Sequence, residues 1–81
     1  MTREEVLTLV RKHLAEELEL DPDAIREGSR FKEDLDADSL DLYELVMELE
    51  DRYGVAVSEE QATHIHTVGD AVGFVMEHAP A

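Results

Sequence analysis

Hydrophobic residues return at every fourth position near the start of the chain, at Val6, Val10, Leu14 and Leu18. This spacing keeps one face of an α-helix apolar and predicts a helix from about Arg3 to about Glu19. Thr2 followed by Glu5 has the form of a capping box at its start. A second apolar stripe, Leu42, Leu45, Val46, Leu49 and Tyr53, predicts a helix from near Ser39 to about Tyr53, with Gly54 placed to end it. Ser58 with Gln61 opens a short helix after an extended link through Val55 and Val57. Thr67 with Asp70 opens a last helix reaching about His78. Asp21-Pro22 marks a turn, with one helical turn through Ile25. From Arg26 to Asp38 the chain reads as a long loop broken by Gly28 and Ser29 and pinned to the core by Phe31 and Leu35. Gly69 and Gly73 each cost about 1 kcal/mol against Ala in a helix and are read as permitting close helix packing. No segment alternates as a strand does. The expected fold is all-α: a small four-helix bundle of three longer helices and one short one, with a long loop between the first two, forming a single domain over residues 1–81.

Composition narrows what such a bundle can do. Hydrophobic residues make up 43% of the 81 positions, which is enough for one small core and too many for a disordered acidic tail. With no Trp, two Phe and two Tyr, that core is aliphatic. The 21 Asp and Glu against seven Lys and Arg leave a formal charge of −14. A chain this acidic is repelled by nucleic-acid phosphates and anionic membrane surfaces, so its expected partners are basic protein patches or cations. There is no Cys, which removes disulfides, thiolate metal sites and cysteine nucleophiles. The apolar residues near the start are interrupted by charge, unlike a signal peptide or membrane span, so a soluble cytoplasmic monomer is expected.

The second helix carries more than a core face. At about 100° per residue, Leu40, Tyr43 and Met47 fall on another side, with Glu44, Glu50 and Asp51 beside them. Three hydrophobic residues ringed by acid suit a docking surface for a protein whose apolar spot is framed by Arg or Lys. A ragged amphipathic helix would give the same pattern. At the head of this helix stands Asp36-Ala37-Asp38-Ser39-Leu40-Asp41. Ser39 suits the N-cap, a common role for serine. Asp38, with Asp41 three residues on, suits it equally, and then Ser39 sits in the first turn with a free hydroxyl. A phosphodiester there would lie near the positive end of the helix dipole.

The run Phe31-Lys32-Glu33-Asp34-Leu35-Asp36-Ala37-Asp38-Ser39-Leu40-Asp41 resembles the phosphopantetheine attachment region of acyl carrier proteins. Glu44 to Glu50 continues the likeness, and Thr67-Val68-Gly69-Asp70-Ala71-Val72 looks like the family's last helix. The resemblance implies that a phosphopantetheinyl transferase uses coenzyme A to place a covalent phosphopantetheine arm on Ser39. The working thiol would then sit on the arm, consistent with a chain without Cys. It further implies that Asp38, Leu40, Asp41, Glu44, Met47, Glu48 and Asp51 form the face that docks onto the basic patches of fatty acid synthesis enzymes. The acyl chain would be sheltered near Leu45, Val46, Leu49, Ala62 and Ile65. Two departures stand out: Asp36 occupies a position where the family usually has Gly, and Leu42 and Tyr43 are bulkier than the residues common there.

Other classes fit less well. Asp34, Asp36 and Asp38 have the one-three-five spacing of a calcium loop, but Ser39 replaces its Gly and Leu45 its bidentate Glu. Weak divalent-cation binding or a non-carrier acidic interaction module are the remaining non-enzymatic alternatives, and a discrete polyketide carrier is the alternative within the family. No nucleophile–base pair or phosphate-binding glycine loop argues for an enzyme. His64 and His66 suit packing or capping, and His13 and His78 a solvated surface. Self-repulsion at −14 predicts that added salt or Mg²⁺ raises the melting temperature, measured by circular dichroism; a melt unchanged between low and high ionic strength would contradict this.

Overall fold

The computed structural model describes residues 2–79. Helix α1 spans Arg3–Leu18, a 3₁₀ turn spans Pro22–Ala24, α2 spans Ser39–Tyr53, α3 spans Glu59–Ala62 and α4 spans Val68–His78. The predicted elements are therefore present, and α2 begins and ends where its capping signals place it. The architecture is all-α, with an isolated antiparallel bridge between Arg30 and Thr67 and no strand among the described residues.

Each helix start is explained by its own side chains. Thr2 Oγ1 accepts the Glu5 N–H at 3.1 Å, which is half of a capping box. Asp38, Ser58 and Thr67 complete the reciprocal form with Asp41, Gln61 and Asp70. Helix α1 ends on Glu19 in the left-handed region at φ 56, where the Glu19 and Leu20 N–H groups both point to the Ala15 carbonyl. Helix α2 ends on Gly54 at φ 67, a conformation glycine adopts without steric cost.

The stripe Val6, Val10 and Leu14 is fully buried and packs chiefly against Val68, Ala71, Val72 and Val75 of α4, with α2 contributing Leu45 and Leu49. Leu42 and Tyr53, at the edges of the α2 arc, are half-buried. The long loop closes the remaining side. Phe31 and Leu35 are its buried anchors as expected, joined by Ile25 and Ala37. Arg11 fastens the 3₁₀ turn to α1 by donating twice to the Pro22 carbonyl, at 2.7 and 3.2 Å.

The loop is also stitched to α4. The Phe31 N–H donates to the His66 carbonyl, the Val68 N–H to that of Ser29, and the Gly69 N–H to that of Glu27 at 2.7 Å. This corrects the expectation for the glycines. A Cβ at Gly69 would stand 3.1 Å from the Glu27 carbonyl oxygen, so Gly69 admits the loop backbone, not a helix. Gly73 has no heavy atom within 4 Å of where a Cβ would be and serves no close contact.

Asp36 lies in the left-handed region at φ 53, between buried Leu35 and Ala37. Aspartate tolerates this conformation better than most residues, and glycine better still. Asp36→Gly is expected to raise stability by roughly 0.5–1 kcal/mol, or a few degrees in melting temperature, while β-branched Asp36→Val lowers it. Thermal melts of the two variants check the sign of each.

Candidate functional site

The entry to α2 resolves which residue caps it. Asp38 Oδ1 accepts the Asp41 N–H at 2.9 Å, and Asp41 Oδ2 accepts the Asp38 N–H at 3.1 Å. Hydrogen bonds from the Asp41 and Leu40 backbone hold the Asp38 carboxyl below its usual range, chiefly the one from Asp41. With Asp38 as cap, Ser39 becomes the first residue of α2, exposed and with its hydroxyl free of capping duty.

Ser39 opens onto a cleft of about 270 Å³ between α2 and α3. The walls are mostly apolar, from Leu42, Val46, Val57 and Ala62, with Lys32 and Glu59 among the polar residues that line it. Of the residues expected to shelter an acyl chain, Val46 and Ala62 line this cleft. Leu45, Leu49 and Ile65 do not: they are 0, 2 and 5% exposed and belong to the packed core behind it. Ile65 also borders a separate open groove between α3 and α4. The bulkier Leu42 and Tyr43 line the cleft as well, and so does Val57, which had not been singled out for it. A helical wheel separates core from surface but does not show which edge residues border a gap.

The second stripe of α2 is exposed: Leu40 and Tyr43 are each 62% and Met47 47% accessible. The carboxylates beside it are not equivalent. Asp38 and Asp41 form the cap. Glu48 pairs with Arg52 one turn on at 3.4 Å. Glu50 accepts the Val57 N–H at 2.9 Å and so secures the link to α3. Asp51 is exposed.

Glu44 belongs to a cluster that the sequence did not reveal. Its carboxylate, that of Asp41 and that of Glu17 on α1 bring oxygen atoms within 4.8 Å of one another. Only the docking of α1 on α2 assembles this trio, whose oxygens could offer ligands to a hard divalent cation. The hydrogen bond with Glu44, followed by desolvation and the Glu44 and Asp41 charges, pushes the Glu17 carboxyl up to about 7. The calcium-loop trio is not assembled in the same way. Asp34 is held by Arg30 through two contacts of 3.1 Å and Asp38 by the cap, and each carboxyl is lowered by its partner.

The histidines separate as well. The His64 and His66 side chains are exposed, and the His66 backbone joins the loop to α4. His78 stacks on Phe74 with ring centroids 4.2 Å apart. His13 is not on the solvated surface. It is half-buried in a recess shared with Glu16, Glu48 and Arg52, and its Nε2 is enclosed without a hydrogen-bond partner among the described residues.

Residues 8–75 match the family described as the phosphopantetheine attachment site. The chain is 44% identical to the acyl carrier protein of Rubrobacter xylanophilus over the whole of both chains. It is 41% identical to that of Lactobacillus acidophilus, covering 96% of this chain and 98% of the relative. A solved structure of the acyl carrier protein from Enterococcus faecalis superposes with a TM-score of 0.83 at 40% identity, covering 98% of this chain and 100% of the other.

Because the folded Glu17 value lies above the unfolded one, the folded chain holds this proton more tightly. The resulting stabilisation is complete below the usual carboxylate range and is lost as pH rises through about 7. Glu17→Gln should flatten stability between pH 5 and pH 8, taken as about the span of the titration, and raise it at the upper end. Denaturant midpoints across that range test this; a wild-type profile unchanged by the substitution would refute the raised Glu17 titration.

Proposed function

The chain belongs to the acyl carrier proteins, a family built around a phosphopantetheine attachment site, and on that footing we propose that Ser39 is the residue that carries the arm. Family members are carriers rather than catalysts. The bound group supplies a thiol that holds acyl chains as thioesters. The observation that carries the assignment is the cap: Asp38 takes the role that would otherwise occupy the serine hydroxyl, leaving Ser39 exposed at the mouth of an apolar cleft.

The fit is chemical as well as spatial. Ser39 Oγ would form the new bond to the pantetheine-side phosphorus of the coenzyme A diphosphate, losing its proton to a base of the transferase as the diphosphate P–O bond breaks and adenosine 3′,5′-bisphosphate leaves. The Ser39 N–H, which the cap leaves unclaimed, and the positive end of the α2 dipole favour the anion so formed. Leu42, Val46, Val57 and Ala62 offer an acyl chain an apolar wall next to its point of attachment. Leu40, Tyr43 and Met47, with Asp38, Asp41, Glu44, Glu48 and Asp51 around them, form the docking face. The acids steer an enzyme with a basic patch, and the hydrophobic side chains seat it.

The pathway we propose is fatty acid synthesis. Support comes from likeness, over their whole length, to bacterial relatives that are single short carrier domains, and from the strong acidity of the chain. Among the described residues no helix is long and apolar enough to cross a membrane, in keeping with delivery between proteins.

Incubation of the apo-protein with coenzyme A and a broad-specificity phosphopantetheinyl transferase should add one phosphopantetheinyl group by intact mass, and Ser39→Ala should gain none. An unmodified wild type, or a modified Ser39→Ala, would overturn the assignment. The cargo found on protein purified from its own cells then separates saturated acyl chains from polyketide intermediates.

A further inference from the structure

Lys32 and Ser39 line the same cleft, and Lys32 is its one basic lining residue. We propose that the Lys32 ammonium is the counter-charge for the phosphodiester on Ser39, and that it turns the arm into the cleft between α2 and α3 and away from the exposed strip of α2. This rests on Ser39 being the attachment point.

The base of the Lys32 side chain is fixed. Its neighbour Phe31 is 2% exposed and donates its N–H to the His66 carbonyl at 2.9 Å. The Phe31 carbonyl accepts the Ala37 N–H at 2.8 Å, which ties this stretch to a residue two before Ser39. The ammonium is uncommitted: Arg3, Arg11, Arg30 and Arg52 each pair with a carboxylate, whereas Lys32 has no ion pair among the described residues. Arg30, two positions away, is withheld from the site by Asp34 and Glu33.

The charges that flank Ser39 along the chain are all acidic: Asp36, Asp38 and Asp41. A phosphodiester is an anion throughout the physiological pH range, so it meets repulsion from those carboxylates. Lys32 offers attraction from within the lining of the cleft. Beside its apolar walls solvent is partly excluded, so an ion pair there is screened less than on open surface. Glu59, the acidic lining residue, repels the phosphate from its own side of the cleft. Lys32 is thus a positioning residue, acting on where the arm rests and not on the acyl group.

The test compares apo and loaded protein by amide NMR, with loading verified by intact mass. In the wild type, loading should shift the backbone amides of Val46 and Ala62, which line the cleft. In loaded Lys32→Gln these shifts should fall roughly two- to five-fold, as loss of a partly exposed ion pair allows. Lys32→Arg should retain them, about 1 M salt should reduce them in the wild type, and Lys12→Gln should leave them intact. Undiminished shifts in fully loaded Lys32→Gln would overturn the proposal while leaving Ser39 as the attachment point. A wild type that takes up no arm would overturn the Ser39 assignment and this proposal with it.

Discussion

The reciprocal hydrogen bonds between Asp38 and Asp41 determine what the start of α2 can do. A helix must satisfy its first N–H groups, and a serine beside them is normally drawn into that task. Here the preceding aspartate does it, and the third helical residue returns the bond to Asp38. One register step decides the outcome: with Asp38 as cap, Ser39 is the first helical residue, exposed and with its hydroxyl free of capping. The loop supports this geometry from the other side. Phe31 anchored in the core and Ala37 bonded to its carbonyl fix the direction in which the chain enters the cap, through a left-handed Asp36.

The same acids serve several purposes, and this explains how so charged a chain stays folded. Asp34, Glu50 and Asp70 are each spent on backbone N–H groups at a loop, a link and a helix start. Such carboxylates gain charge-assisted hydrogen bonds, and their charge is partly used inside the fold. Where a carboxylate lacks a donor the consequence is opposite. Glu17 meets Glu44 and Asp41 across the α1–α2 contact and holds a proton up to about pH 7. The proposed docking face of α2 therefore borders a cluster of carboxylates that repel one another. A basic partner or a cation that arrives there neutralises a strain already present in the free protein.

Local rules were legible in the sequence, and contacts between elements were not. Val6, Val10 and Leu14 announce α1 because burial and helical period coincide, and the boxes at Ser58 and Thr67 mark starts because capping is a matter of four consecutive residues. The α2 wheel separated the core residues Leu45, Val46 and Leu49 from the exposed Leu40, Tyr43 and Met47 for the same reason. The choice between Asp38 and Ser39 as cap is one of register, which composition leaves open and geometry settles. Glu17, the close approach at Gly69, and the enclosure of His13 depend on how helices and loop pack, and no periodicity encodes them.

The cleft shows how this division shapes the site. Leu45, Leu49 and Ile65 were reasonable candidates for a lipid pocket because they are apolar and inward. All three are buried in the core and do not line the cleft, Ile65 bordering instead the groove between α3 and α4. Space remains at the seam where the four-residue α3, too short to cover α2, leaves Val46 facing Ala62 and Val57. An acyl chain that enters there lies against residues at the margin of the core and need not displace those at its centre. With Ser39, the proposed attachment point, at the rim of that seam, the proposed arm starts beside an apolar cleft that could receive its cargo.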